Sequence, residues 1–99
     1  MDGKWKITLA DSAKRHGFDR MDALSAIARA RLEANPFESS RIKGTIDPAG
    51  WIGPAIDGTE VEVFAEVDPA ARTIWVFHLM QARPHNIRRI EKAKKEQKR

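Results

Sequence analysis

Residues 60–84 read EVEVFAEVDPAARTIWVFHLMQARP, and this stretch decides the fold. Val61, Val63, Ala65 and Val67 recur at every second position with Glu60, Glu62 and Glu66 between them, which predicts a strand with one buried face and one wet face. Asp68-Pro69-Ala70-Ala71 predicts a type I turn, because Pro69 presets φ and the Asp68 carboxylate can accept from nearby backbone N–H groups. The returning arm, 73–80, is apolar on both sides. Ile74, Val76, His78 and Met80 share one face and Trp75, Phe77 and Leu79 the other, as in an interior strand covered on each side. The arm ends at Arg83-Pro84, where proline cannot donate to a ladder, so Arg83 is delivered to the rim of the sheet.

Working upstream, Trp51 to Ile56 reads as an irregular strand, and Asp57-Gly58 favours a tight type I′ hairpin pairing it with 60–67. Two successive hairpins make a meander. Ile42 and Ile46 allow a short strand, followed by a turn signal at Asp47-Pro48-Ala49-Gly50. At the start, Trp5, Ile7 and Leu9 alternate with polar residues as in a half-buried strand. Asp11 or Ser12 can cap a short helix through Lys14-Arg15-His16, stopped by Gly17. Asp19 then caps a second helix, with Asp22 in its first turn. Its expected inner stripe is Leu24, Ile27, Ala28 and Leu32, with an Arg29–Glu33 pair on the surface and an end near Ala34, because Pro36 forces Asn35 out of helical geometry. On that orientation Leu24→Ala would cost roughly 2 to 4 kcal/mol. Downstream, residues 86–99 read as a helix that Asn86 could cap, docked by Ile87 and Ile90 and frayed over its last two turns.

Ninety-nine residues suit one domain. The expected class is therefore α+β, a single domain with an antiparallel meander sheet of about four strands, two N-terminal helices on one face and a basic C-terminal helix. The body is 1–85 and the tail 86–99. The tail carries seven Lys/Arg against two Glu, whereas the body has eleven against twelve, so any nucleic-acid contact rests on a local patch or on the tail. The absence of cysteine excludes thiol catalysis and cysteine-based zinc sites. With no apolar run of membrane-spanning length and no signal-like start, the expectation is a cytoplasmic protein without a membrane partner.

Phosphate loops, H-E-x-x-H and Ser/His/Asp signatures are missing, so attention falls on histidines and cations. His78 on an apolar face is more often a satisfied core residue than a catalytic one. His85 follows Arg83 at the rim, where an imidazole could move a proton while a guanidinium holds phosphate. Lys14, Arg15 and His16 could bind substrate or simply complement a helix dipole, and Arg88 and Arg89 extend the positive charge into the tail.

Arg15-His16-Gly17, Asp22-Ala23-Leu24, Asn35-Pro36, Ile52-Gly53-Pro54 and the ending His78-x-Met80-x-Ala82-Arg83-Pro84 together resemble the BrnT-like toxins of bacterial type II toxin–antitoxin modules. The resemblance runs over about residues 5 to 85, while 38–50 and the basic tail depart from the pattern. It implies a RelE-like fold, a ribonuclease-type activity that lowers protein synthesis, and a cognate ribbon-helix-helix antitoxin. It points to Arg15, His16 and Arg83, and with less weight to His78. Such RNA cleavage needs no cofactor or metal, since a base, an acid and cations suffice. Arg83 is cast as the phosphate clamp, His85 or His16 as acid/base, and Arg15 or Lys14 as positioning charges. The alternative is a non-catalytic protein of the same fold that binds a host protein through an exposed Trp51 or Trp75; a plain nucleic-acid binder acting through the tail is a third reading.

Overall fold

The computed structural model describes residues 4–40 and 45–97. Strands β1 (Lys6–Leu9), β2 (Leu32–Ala34), β3 (Ala49–Pro54), β4 (Glu60–Asp68) and β5 (Thr73–Gln81) form one sheet in the order β1-β5-β4-β3-β2. A 3-10 turn at Asp11–Lys14 follows β1, helix α1 is Arg20–Ala28, and helix α2 is Pro84–Gln97. The α+β class holds and β3-β4-β5 is the expected meander. The sheet, however, has five strands and is mixed, because β1 lies parallel to β5 while the other pairs are antiparallel. Alternation in 5–9 places Ile7 correctly in the core and Leu9 half-buried, but Trp5 lies outside β1 and is 43% exposed, and the pattern carries no information about the partner of the strand.

Of the two helices expected near the N-terminus on one face only α1 forms, the first being no more than the 3-10 turn, and the basic helix α2 lies on the other face of the sheet. Along β3, Trp51 belongs to a core with Ala23 and Ala26 of α1, whereas the next residue, Ile52, packs with Ile90 of α2. Side chains alternate across a strand, so α1 and α2 cover opposite sides. On the α1 side of the sheet lie Ile7, Val61, Val63, Val76 and Leu79; on the α2 side lie Leu32, Phe37 and Phe64. Residues 61–65 of β4 are thus buried on both faces: on the face expected to be wet, Glu62 and Phe64 are buried on the α2 side, while Glu60 and Glu66 stay half-exposed.

Asp19 caps α1 as expected: its side chain accepts from the Asp22 N–H and the Asp22 carboxylate from the Asp19 N–H, a reciprocal capping box. The helix then ends at Ala28 rather than near Ala34. The Arg31 N–H donates to the Ile52 carbonyl, and Leu32-Glu33-Ala34 pairs with β3 with Leu32 and Ala34 buried and Glu33 exposed. Apolar residues at 30, 32 and 34 suit a strand as well as a helix, and the open edge of β3 decides between them. The Arg29–Glu33 helical pair consequently does not form. Nor is Leu24 an inner residue: it is 37% exposed, and the face against the sheet is Ala23, Ser25 and Ala26. These small residues bring the helix backbone down onto Gly53, where a Cβ would stand 2.2 Å from the Ala26 carbonyl oxygen. Leu24→Ala should therefore cost less than about 1 kcal/mol, whereas Ile90→Ala, which empties a fully buried position, should cost about 2 to 5 kcal/mol in urea unfolding.

The connections carry smaller corrections. Gly58 alone of the Asp57-Gly58 pair has positive φ (93°), and the Gly58 N–H bonds to the Ala55 carbonyl, so the hairpin is a three-residue loop with a glycine bulge rather than type I′. The Asp68 carboxylate does accept from the Ala71 N–H, but the backbone turn closes one residue later, from the Arg72 N–H to the Pro69 carbonyl. Ala49 and Gly50 belong to β3, not to a turn, and residues 42–44 of the strand expected around 42–46 lie outside the described residues. Gly17 has the positive φ (84°) expected of a helix stop, but the preceding 3-10 turn is capped by neither Asp11 nor Ser12. The Ser12 hydroxyl instead donates to the Phe77 carbonyl at 2.6 Å. Helix α2 starts at Pro84, where a missing N–H costs nothing, and Asn86 lies inside its first turn. It runs on to Gln97, whose side chain donates to the Pro36 carbonyl, so the last turns are formed rather than frayed. Among the described residues no helix is long and apolar enough to cross a membrane.

Candidate functional site

The centre of the site is a residue that the alternating pattern places in water. Glu62, in the middle strand β4, is 0% exposed. Its Oε2 accepts from His78 Nε2 at 2.6 Å, Arg83 Nη2 at 2.7 Å and Asn86 Nδ2 at 2.7 Å, while its Oε1 accepts from the Arg83 backbone N–H at 2.8 Å. A buried carboxylate persists only when its oxygens are satisfied in this way. Burial by itself pushes the Glu62 carboxyl up, but hydrogen bonds from the Arg83 guanidinium, His78, the Arg83 N–H and Asn86 outweigh it and hold the group below the ordinary glutamate range.

A bulge brings His78 to this carboxylate. Ala65 pairs with Val76 and Phe64 with His78, so Phe77 is an extra residue in β5. From that point the faces exchange. Ile74, Val76 and Leu79 lie on the α1 side, while Phe77, His78 and Met80 lie with Phe64 and Glu62 on the α2 side. The common face expected for Ile74, Val76, His78 and Met80 does not exist, because strict alternation fails across a bulge.

From Glu62 the polar network continues outward. The Asn86 Oδ1 accepts from Arg89 Nη1 at 2.7 Å, and Arg89 Nη2 pairs with Glu38. The Arg89 guanidinium lies 5.2 Å from the Phe37 ring centroid and 6.0 Å from that of Phe64. His78 stacks on Phe64 at 4.5 Å with 16° between the planes. Beside it opens a cleft of about 420 Å³, lined by Phe64, Trp75, Phe77 and His78 with Glu66 and Arg89 among its polar groups. His78 Nδ1 has no hydrogen-bond partner among the described residues. If Nε2 carries the proton donated to Glu62, Nδ1 holds a lone pair, the tautomer needed of a general base.

Of the residues singled out by sequence, the structure brings together His78, Arg83 and Arg89. His85 is exposed on the first turn of α2, His16 is exposed beyond the 3-10 turn, and neither lines the cleft. Lys14 pairs with Asp11 at 3.7 Å and Arg15 Nε donates to the Ser12 carbonyl at 3.4 Å, both bland local roles, and Arg88 is exposed. Arg83 is half-exposed and tied to a buried charge, so it supports the core more than a rim guanidinium would. Glu62 and Asn86 went unrecognised as site residues in the sequence. The only signal is a Glu two residues before Phe64 and an Asn in the first turn of a later helix, and nothing local in the sequence says that the two meet. Among the described residues no three His, Asp or Glu side chains gather as a metal site would require. In comparisons with known proteins, no family model, no curated protein and no solved structure matches this chain.

Proposed function

We propose that the protein is a growth-inhibitory toxin that cleaves RNA without a metal, with His78 as general base. One observation carries this reading: an imidazole held through Nε2 by a buried, fully hydrogen-bonded carboxylate lines an aromatic cleft bordered by Arg89, and its other nitrogen has no partner among the described residues. Unstacked bases bind aromatic surfaces, and guanidinium groups bind phosphate in the planar fork geometry that lysine lacks. In the step, His78 takes the 2′-OH proton, the 2′ oxygen attacks phosphorus and the bond to the 5′ oxygen breaks. The products are a 2′,3′-cyclic phosphate and a 5′-hydroxyl, whose proton comes from water. The positive charge of Arg89, whose Nη atoms already hold Asn86 and Glu38, and the exposed part of Arg83 stabilise charge on the phosphorane-like transition state at longer range. The resemblance to BrnT-like toxins supports the same reading and calls for a ribbon-helix-helix antitoxin as partner.

His78→Gln should keep a hydrogen bond to Glu62 while losing the ring nitrogen that would accept the proton. RNA cleavage is expected to fall by about 10²-fold or more, with near wild-type melting. Growth on induced expression, measured beside RNA integrity, checks this. Wild type that stops growth with RNA intact would overturn cleavage and favour host-protein binding, for which Trp75, 42% exposed, is a suitable anchor; Trp51, at 3%, is not.

A further inference from the structure

We infer that the cleft beside His78 is a nucleobase site selective for guanine, with Glu66 as the residue that reads the base. This rests on the RNA reading above and adds to it a specificity and the side chain responsible. Trp75, Phe77, Phe64 and His78 form a continuous aromatic wall, with ring centroids 5.9 Å apart for Trp75–Phe77, 6.5 Å for Phe77–Phe64 and 4.5 Å for Phe64–His78. Trp75 is 42% exposed at one end of that wall. An exposed ring face of this kind can stack on any base and by itself selects none.

Selection requires a polar group at the edge of the stacked base, and two carboxylates line the cleft. Glu38 is engaged by Arg89. Glu66 stands directly across the ladder from Trp75, half-buried, and its carboxylate has no hydrogen bond or ion pair with any described residue. An ionised carboxylate offers two acceptors and no donor. Guanine alone among the RNA bases presents two adjacent donors, N1–H and the N2 amino group, on its Watson–Crick edge. Adenine and cytosine pair one amino donor with an acceptor nitrogen, and uracil sets a single N–H between two carbonyls, so each would bring a lone pair against the second carboxylate oxygen. A volume of about 420 Å³ lies within the range of small-molecule sites. A methylammonium ligand is the other chemistry that aromatic rings and carboxylates can hold. It is disfavoured because the Arg89 cation already lies 6.0 Å from the Phe64 ring.

The test is calorimetric titration of the full chain with the four nucleoside 3′-monophosphates. Guanosine 3′-monophosphate should bind about tenfold or more tighter than the other three, as a good bidentate base contact provides. Glu66→Gln should bring it to the level of the others with unchanged melting. Equal affinities in wild type, a preference that survives Glu66→Gln, or tighter binding of a trimethyllysine peptide would each overturn the inference. RNA cleavage that depends on His78 without any guanine preference would remove this inference and leave the hydrolytic reading. A guanine preference in a protein that cuts no RNA would do the reverse.

Discussion

Glu62→Ala should destabilise the protein by about 3 kcal/mol and abolish whatever activity His78 carries. Removing one partner of a buried ion pair strands the others, and here three side chains lose their acceptor together. The figure is the low end for such losses because Arg83 and His78 retain partial access to water. Glu62→Gln, which preserves shape, separates packing from charge. Because the folded Glu62 carboxyl lies below its ordinary value of 4.5, the unfolded chain takes up its proton first as pH falls. The contribution of Glu62 is therefore complete above about pH 4.5 and is lost as pH drops through the lower folded value. Glu60 is also held low, by its hydrogen bond from Arg31, so wild-type stability falls in acid for more than one reason. The part that disappears in Glu62→Gln belongs to this site. Melting curves of both proteins across acid pH check it; parallel curves would show that the Glu62 charge is irrelevant to the fold.

Gly53→Ala should cost about 3 kcal/mol or more, a large penalty for one methyl group. The added Cβ would meet the Ala26 carbonyl oxygen at 2.2 Å, and that atom is helix backbone, so α1 would have to lift off β3. Gly58 provides the contrast: its added Cβ would meet open space and only its positive φ resists substitution. Urea unfolding of the two alanine variants should rank Gly53 well above Gly58. Similar losses would mean that α1 does not approach β3 as closely as described.

Much of this architecture was readable from residues alone, and the failures have physical causes. The hairpin of β4 and β5, the N-cap of α1, the strand at the start of the chain and the docking of Ile90 follow from local periodicity and capping chemistry. What local pattern cannot specify is the partner. The pairing of β1 with β5, the capture of Leu32-Glu33-Ala34 by the edge of β3 and the covering of β4 by α2 are all decisions between distant segments. The same limit applied to the site. Arg83 and His78 stand out by residue type and position, whereas Glu62 has the local pattern of an ordinary solvent-facing carboxylate and is buried only by the segment that brings Arg83 and Asn86 to it. The extra residue at Phe77 leaves no trace in an apolar run and yet decides which side of the sheet His78 occupies.

Helix α2 also has a bearing on the order in which the protein is made. The carboxylate at Glu62 leaves the ribosome well before Arg83, Asn86 and Arg89, the groups on the α2 side of its network. Until they follow, Glu62 has His78 but lacks the arginine and the asparagine that neutralise and enclose it. No nascent fragment ending before residue 84 can therefore contain the assembled centre, whatever share of the sheet it has already formed.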